Sequence, residues 1–169
     1  MAIEYTIPVD LPVAYYRPIG EVVNRCALME LYLRHIIWRC LEIDNKRGRI
    51  LTVGMDANVL IGIAKNLANK WSGDAATAQE IHSIANDARD YFKQRNAIAH
   101  GFWGFPKGNK RRGFKFHEMF EAHQRELPNA VKKMPKDLQA LATKIRKLNL
   151  RADALVEILD EKARRKGSA

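Results

Sequence analysis

Residues 74–101 read DAATAQEIHSIANDARDYFKQRNAIAHG, and this stretch decides the fold. Asp74 is a residue type that accepts the orphan amides of a first helical turn. Neither Gly nor Pro interrupts the run until Gly101, the type that closes a helix in the left-handed conformation. With Ile81 as origin and about 100° per residue, Ile84, Ala85, Ala88, Tyr91, Phe92, Ile98 and Ala99 fall in one arc around it. The spacing predicts an amphipathic helix from Asp74 to about His100, packed against others. Arg95 falls in the middle of that apolar arc, where a cation must be paired or open into a cleft. Asn96 and His100 share the next face, four residues apart, so their side chains can meet.

The same period recurs on both sides. From Pro18, suited to a first turn, a helix is expected over Ile19 to about Ile43. Ile19, Val22, Val23, Cys26, Leu33, Ile37 and Cys40 share a face. Leu28, Met29, Leu31, Tyr32 and Ile36 spread onto others, more apolar surface than one bundle face buries. Asp44 to Gly48 reads as a turn. Asp56 caps a helix to about Trp71 through Val59, Leu60, Ile63 and Leu67. Glu118 to Met134 is ambiguous, compatible with a short helix broken at Pro128. A last long helix runs from Pro135 to about Arg165. Residues 101–117, with four glycines and one proline, read as a loop or irregular hairpin with its tip at Lys107–Lys110. The expectation is an all-α fold: an antiparallel bundle of four to five helices with an irregular or hairpin insert after the third long helix. An extended arm (1–17) precedes a single domain (18–166).

The chain has 169 residues, enough for one domain with a core. Lys and Arg number 29 against 19 Asp and Glu, a formal charge of +10, which points to a polyanionic partner such as nucleic acid. No 18-residue apolar run or secretory leader is evident, so no membrane association is expected. Cys26 and Cys40 sit roughly 21 Å apart on one helix, too far for a disulfide. Two buried thiols fit a cytoplasmic location.

Glu30 falls in the apolar arc of the first long helix, as Arg95 does in the third. Two inward charges of opposite sign suggest a Glu30–Arg95 pair that fixes the guanidinium; a purely structural ion pair is the plainer alternative. Arginine followed directly by asparagine, then histidine five residues after the arginine, at the end of a long bundle helix, resembles the signature of the HEPN (higher eukaryotes and prokaryotes nucleotide-binding) superfamily. The resemblance covers about Ile19 to Arg165 and rests on Arg95, Asn96 and His100. It implies a helical bundle that dimerises, with two motifs facing a shared cleft. It also implies a metal-independent endoribonuclease of toxin–antitoxin or phage-defence type, or a member that only binds nucleotides or RNA. Carried over, Arg95 and His100 are catalytic and Asn96 positions the site.

These side chains suit RNA cleavage by 2′-OH attack. Histidine, with an ordinary pKa of about 6.5, can move protons near neutral pH. Arginine binds two phosphate oxygens and keeps its charge. One histidine serves poorly as both acid and base on opposite sides of phosphorus, so a homodimer offering two is expected. The alternative for His100 is a favourable contact with the helix dipole. His35, His82, His117 and His123 form no cluster of metal-ligand spacing, and no metal or other cofactor is expected. The acid-free segment after the heptad carries Lys107, Lys110, Arg111, Arg112 and Lys115, interleaved with aromatics including Trp103. Cations can pair with phosphates and aromatics can stack on bases; alternatively, the aromatics close the bundle and the cations form a solvated rim. RNA is the expected partner, with a neutralising protein a further one. The competing readings are a non-catalytic RNA- or nucleotide-binding module of this fold and an interaction protein that binds an acidic partner.

Overall fold

A computed structural model describes residues 5–6, 11–70, 74–100, 102–106, 117–120, 131–133 and 135–167. Among the described residues five helices carry the fold: α1 (Val13–Cys40), α2 (Asn45–Thr52), α3 (Ala57–Lys70), α4 (Ala75–His100) and α5 (Pro135–Gly167). The expected all-α bundle is therefore observed. Four short strands accompany it among the described residues: β1 (Tyr5–Thr6), β2 (Phe102–Pro106), β3 (His117–Phe120) and β4 (Val131–Lys133). They form one antiparallel sheet in the order β1-β2-β3-β4. β2 and β3 are the hairpin arms of the insert. Of the ambiguous segment from Glu118 to Met134, the described residues, 118–120 and 131–133, are strand, and 121–130 lie outside the described residues.

Three aspartates set helix starts. The Thr77 amide donates to Asp74 Oδ1 at 2.9 Å, opening α4. Asn58 and Val59 amides donate to Asp56 Oδ1 at 2.8 and 3.0 Å, opening α3. Lys46 and Arg47 amides donate to Asp44 Oδ1 at 2.8 and 2.9 Å, opening α2 where a turn was expected. Gly48 weakens an isolated helix there by about 1 kcal/mol. Tertiary packing reverses the preference, because Gly48 lies directly against the Trp38 ring. Thr52 Oγ1 accepts from Trp38 Nε1 at 3.3 Å and donates to the Gly48 carbonyl at 2.9 Å. Only Gly48 and Thr52 of α2 are buried.

Other boundaries and faces move too. α1 begins at Val13, so Pro18 lies inside it rather than in its first turn. The turn is already closed there, the Tyr15 amide donating to the Pro12 carbonyl at 2.9 Å. α1 ends at Cys40, short of Ile43, because Glu42 takes φ 53° and turns the chain. α3 buries Leu60, Ile61, Ala64 and Ala68, whereas Val59 is 46% exposed. The packed arc is thus the neighbouring one, which carries the small alanines.

Two compact units divide the chain, residues 1–24 with 93–143 and residues 25–92 with 144–169. In the second, polar contacts give the helix directions. The Asn149 Nδ2 amide donates to the Arg25 carbonyl at 3.0 Å and Arg39 pairs with Asp160, so α1 and α5 run the same way. Arg151 pairs with Glu80 at 3.0 Å and Asp87 at 2.9 Å, and Lys162 pairs with Asp74, so α4 and α5 run oppositely. His82 Nε2 meets Asn69 Oδ1 at 2.8 Å and Lys65 meets Asn86, so α3 and α4 also run oppositely. Leu28 and Leu31 of α1 remain 41% and 43% exposed, the surplus apolar surface seen in the sequence. Tyr32 is half-buried and hydrogen-bonds Asp153.

The first unit buries Tyr15 and Val22 of α1, Ile98 of α4, and Leu138 and Leu141 of α5. Burial, with the nearby Asp137 carboxylate, pushes the Tyr15 phenol up to about 12. A raised folded-state pKa leaves stability intact below the unfolded value of about 10. Between about pH 10 and 12 the unfolded chain loses the proton first, so stability falls with rising pH across that window. Tyr15→Phe is expected to flatten the decline, measured by urea denaturation at pH 9 and 11. An unchanged slope would remove Tyr15 as its source.

Candidate functional site

α4 delivers the heptad residues. Its buried stripe ends at Ile98, 2% exposed, and fixes the helix's rotation against its neighbours. Arg95 is half-buried, with Nε out of solvent. Asn96 and His100 are exposed. The helix stays α-helical through His100. Asn96 and His100 therefore share a face one turn apart. Arg95 and His100 stay about 140° apart and about 7.5 Å along the axis. The structure thus sets asparagine and histidine on one open face and leaves the arginine on another. Glu30 is half-buried on α1. Glu30 and Arg95 each take part in a polar interaction.

One residue, Gly101, separates His100 from β2. β2 is an inner strand, pairing with β1 on one side and β3 on the other. Trp103 lies on β2 in a cross-strand row with Met119 and Val131. Lys107, Lys110, Arg111, Arg112 and Lys115 lie outside the described residues. Lys132 and Lys133 on β4 were not singled out in the sequence. Only pairing of β4 with β3 brings them beside the insert, and their distance along the chain from the heptad hides this.

Several other titratable groups have structural occupations. His82 is held by Asn69 at 2.8 Å. The His35 ring lies 4.8 Å from the Trp38 ring, and burial followed by the Arg39 charge lowers its pKa. Arg151 donates to Glu80, Asp87 and Ser83, and the two carboxylates, Glu80 first, raise its pKa. Burial pushes the Cys40 thiol up to about 11, so it stays protonated near neutral pH. His117 lies on β3, and His123 is outside the described residues. Among the described residues no three of His, Cys, Asp and Glu gather as a metal site. No helix among them is long and apolar enough to cross a membrane. No protein-family model, no curated protein and no solved structure matches the chain.

Proposed function

We propose that this chain is a metal-independent endoribonuclease acting on RNA in the cytoplasm, in a toxin or phage-defence setting, where a neutralising partner protein also fits. The reading is supported above all by Asn96 and His100, exposed one turn apart at the end of α4 and one residue before β2. The +10 charge supports RNA as partner. A histidine takes the 2′-OH proton, and the 2′ oxygen attacks the adjacent phosphorus. Arg95 carries the charge that builds on the phosphoryl oxygens. The P–O5′ bond breaks, and an imidazolium protonates the departing 5′ oxygen. The products are a 2′,3′-cyclic phosphate and a 5′-hydroxyl, with no water consumed. Asn96 orients His100 from the same face.

A homodimer completes the proposal, because base and acid act on opposite sides of phosphorus and each chain brings one histidine in this motif. The exposed Leu28 and Leu31 supply apolar surface for association. A second reading, a non-catalytic RNA- or nucleotide-binding module, draws on one observation: Arg95 is half-buried and about 140° from His100 on the same helix. Purified protein incubated with total RNA in EDTA separates the two. The expected result is new RNA ends bearing 2′,3′-cyclic phosphate. Activity that EDTA abolishes and Mg²⁺ restores would overturn the metal-independent mechanism. Binding without new ends would favour the second reading.

A further inference from the structure

From Lys144 onward α5 belongs to one compact unit, and it carries an apolar stripe that this unit leaves exposed. At about 100° per residue, Lys147, Leu150, Ala154, Ile158 and Glu161 fall in one band about 80° wide. The band lies opposite the buried stripe of Ile145, Leu148, Ala152, Leu155 and Leu159. All its members are exposed, Leu150 at 59% and Ile158 at 46%. Its spacing is symmetric about Ala154: Leu150 and Ile158 stand four residues to either side, and Lys147 and Glu161 seven. Reversing the helix therefore superimposes the apolar positions and exchanges the charges. We propose that this band docks on the same band of a second copy, α5 against α5, antiparallel about a two-fold axis at Ala154. The contact rests on the homodimer part of the function proposed above and names the surface that forms it.

A two-fold contact must be self-complementary, because each pairing across it occurs twice. Here Leu150 meets the partner subunit's Ile158, and Lys147 meets the partner subunit's Glu161. Ala154 stands at the axis, where its small side chain lets the helices approach to about 8–10 Å. Arg165 reaches Oε2 of Glu161 at 3.8 Å on a carboxylate that is 65% exposed, and Oε1 is left for the second copy. Leu28 of α1 lies one turn before Tyr32, whose side chain hydrogen-bonds Asp153, and its exposed surface extends the apolar band. Charge order selects the occupant. Arg146 and Lys147 stand at one end, Glu157 and Glu161 at the other, all exposed. RNA or a uniformly acidic protein meets repulsion along half of the band. A surface with the reverse order of charges fits both ends, and an antiparallel copy of α5 is such a surface.

Charge reversal gives a direct test, read by sedimentation equilibrium of the full chain without RNA. Wild type is expected to dimerise at micromolar concentration. Lys147→Glu alone and Glu161→Lys alone each set like charges together twice per dimer, and each is expected to raise the dimer dissociation constant about 10- to 100-fold. An equimolar mixture of the two variants is expected to associate as wild type does, because the acids of one chain then face the lysines of the other. Recovery on mixing cannot come from a variant that is merely misfolded. Leu150→Asp, which places an acid against the partner subunit's Ile158 twice, is expected to leave a monomer with wild-type circular dichroism. A mixture no more associated than either variant alone would overturn the contact. A dimeric wild type whose association ignores both charge variants removes the α5 contact and keeps the homodimer, whereas a monomeric wild type removes both. The expected pattern from a chain that does not cleave RNA keeps the contact and removes the ribonuclease mechanism.

Discussion

Replacing His100 with alanine is expected to abolish RNA cleavage while leaving the fold almost untouched. His100 is exposed at the last position of α4, beyond the buried stripe that ends at Ile98. Its contribution to folding is confined to the helix dipole, about 0.3–1 kcal/mol. Its contribution to rate, as a group moving a proton in the transition state, is typically about 10²–10⁴-fold. The two effects differ enough to be read separately, by product formation from total RNA and by thermal melting. Asn96→Ala should give a smaller loss, because it acts only by orienting the imidazole. Mixing excess His100→Ala chains with wild type, under conditions that exchange subunits, should lower activity below simple dilution if each site draws on two chains. A His100→Ala protein that cleaves RNA at the wild-type rate would remove His100 from the mechanism. Equal loss of melting temperature and activity would mark it as a structural residue.

The long helices were legible because their signals are local. Asp74 and Asp56 cap where an aspartate before an apolar period predicts a cap. Ile81, Ile84, Ala85, Ala88 and Phe92 are all buried as their spacing requires. α2 was illegible for the opposite reason. A short polar run around Gly48 has no helical signal of its own, and its stability comes from a tryptophan on another helix. The sheet was half legible: glycines and a proline announce a hairpin, but no local pattern pairs β4 with β3 or β1 with β2. At the heptad, the chemistry of Arg95, Asn96 and His100 was visible in residue types alone. What the sequence left open was the helix end. The last turn of α4 holds through His100 rather than unwinding before Gly101, and this leaves Arg95 and His100 on different faces.

Gly48→Ala should destabilise the protein, although alanine in place of a helical glycine ordinarily stabilises by about 1 kcal/mol. A Cβ at Gly48 would lie 2.4 Å from Trp38 Cγ and Cδ2 and 2.7 Å from Cδ1. Trp38 is 1% exposed, so its ring has no free space to enter. Moving the ring also breaks its Nε1 bond to Thr52 and leaves a buried donor and hydroxyl to find new partners. Overpacking of this kind costs about 1–3 kcal/mol and sometimes more, which exceeds the propensity gain. A net loss of roughly 2 kcal/mol lowers the melting temperature by about 4–8 °C in a chain of this size. Trp38→Ala, which empties the same contact, should cost about 3–5 kcal/mol. Gly20 is the control within the same protein. It lies in α1, is exposed, and has nothing within 4 Å of where a Cβ would stand. Gly20→Ala should therefore raise the melting temperature, since only the propensity term remains. The sign of the change is thus set by Trp38 and not by the residue type. A Gly48→Ala protein that melts higher than wild type, as Gly20→Ala should, would show that α2 does not rest on Trp38.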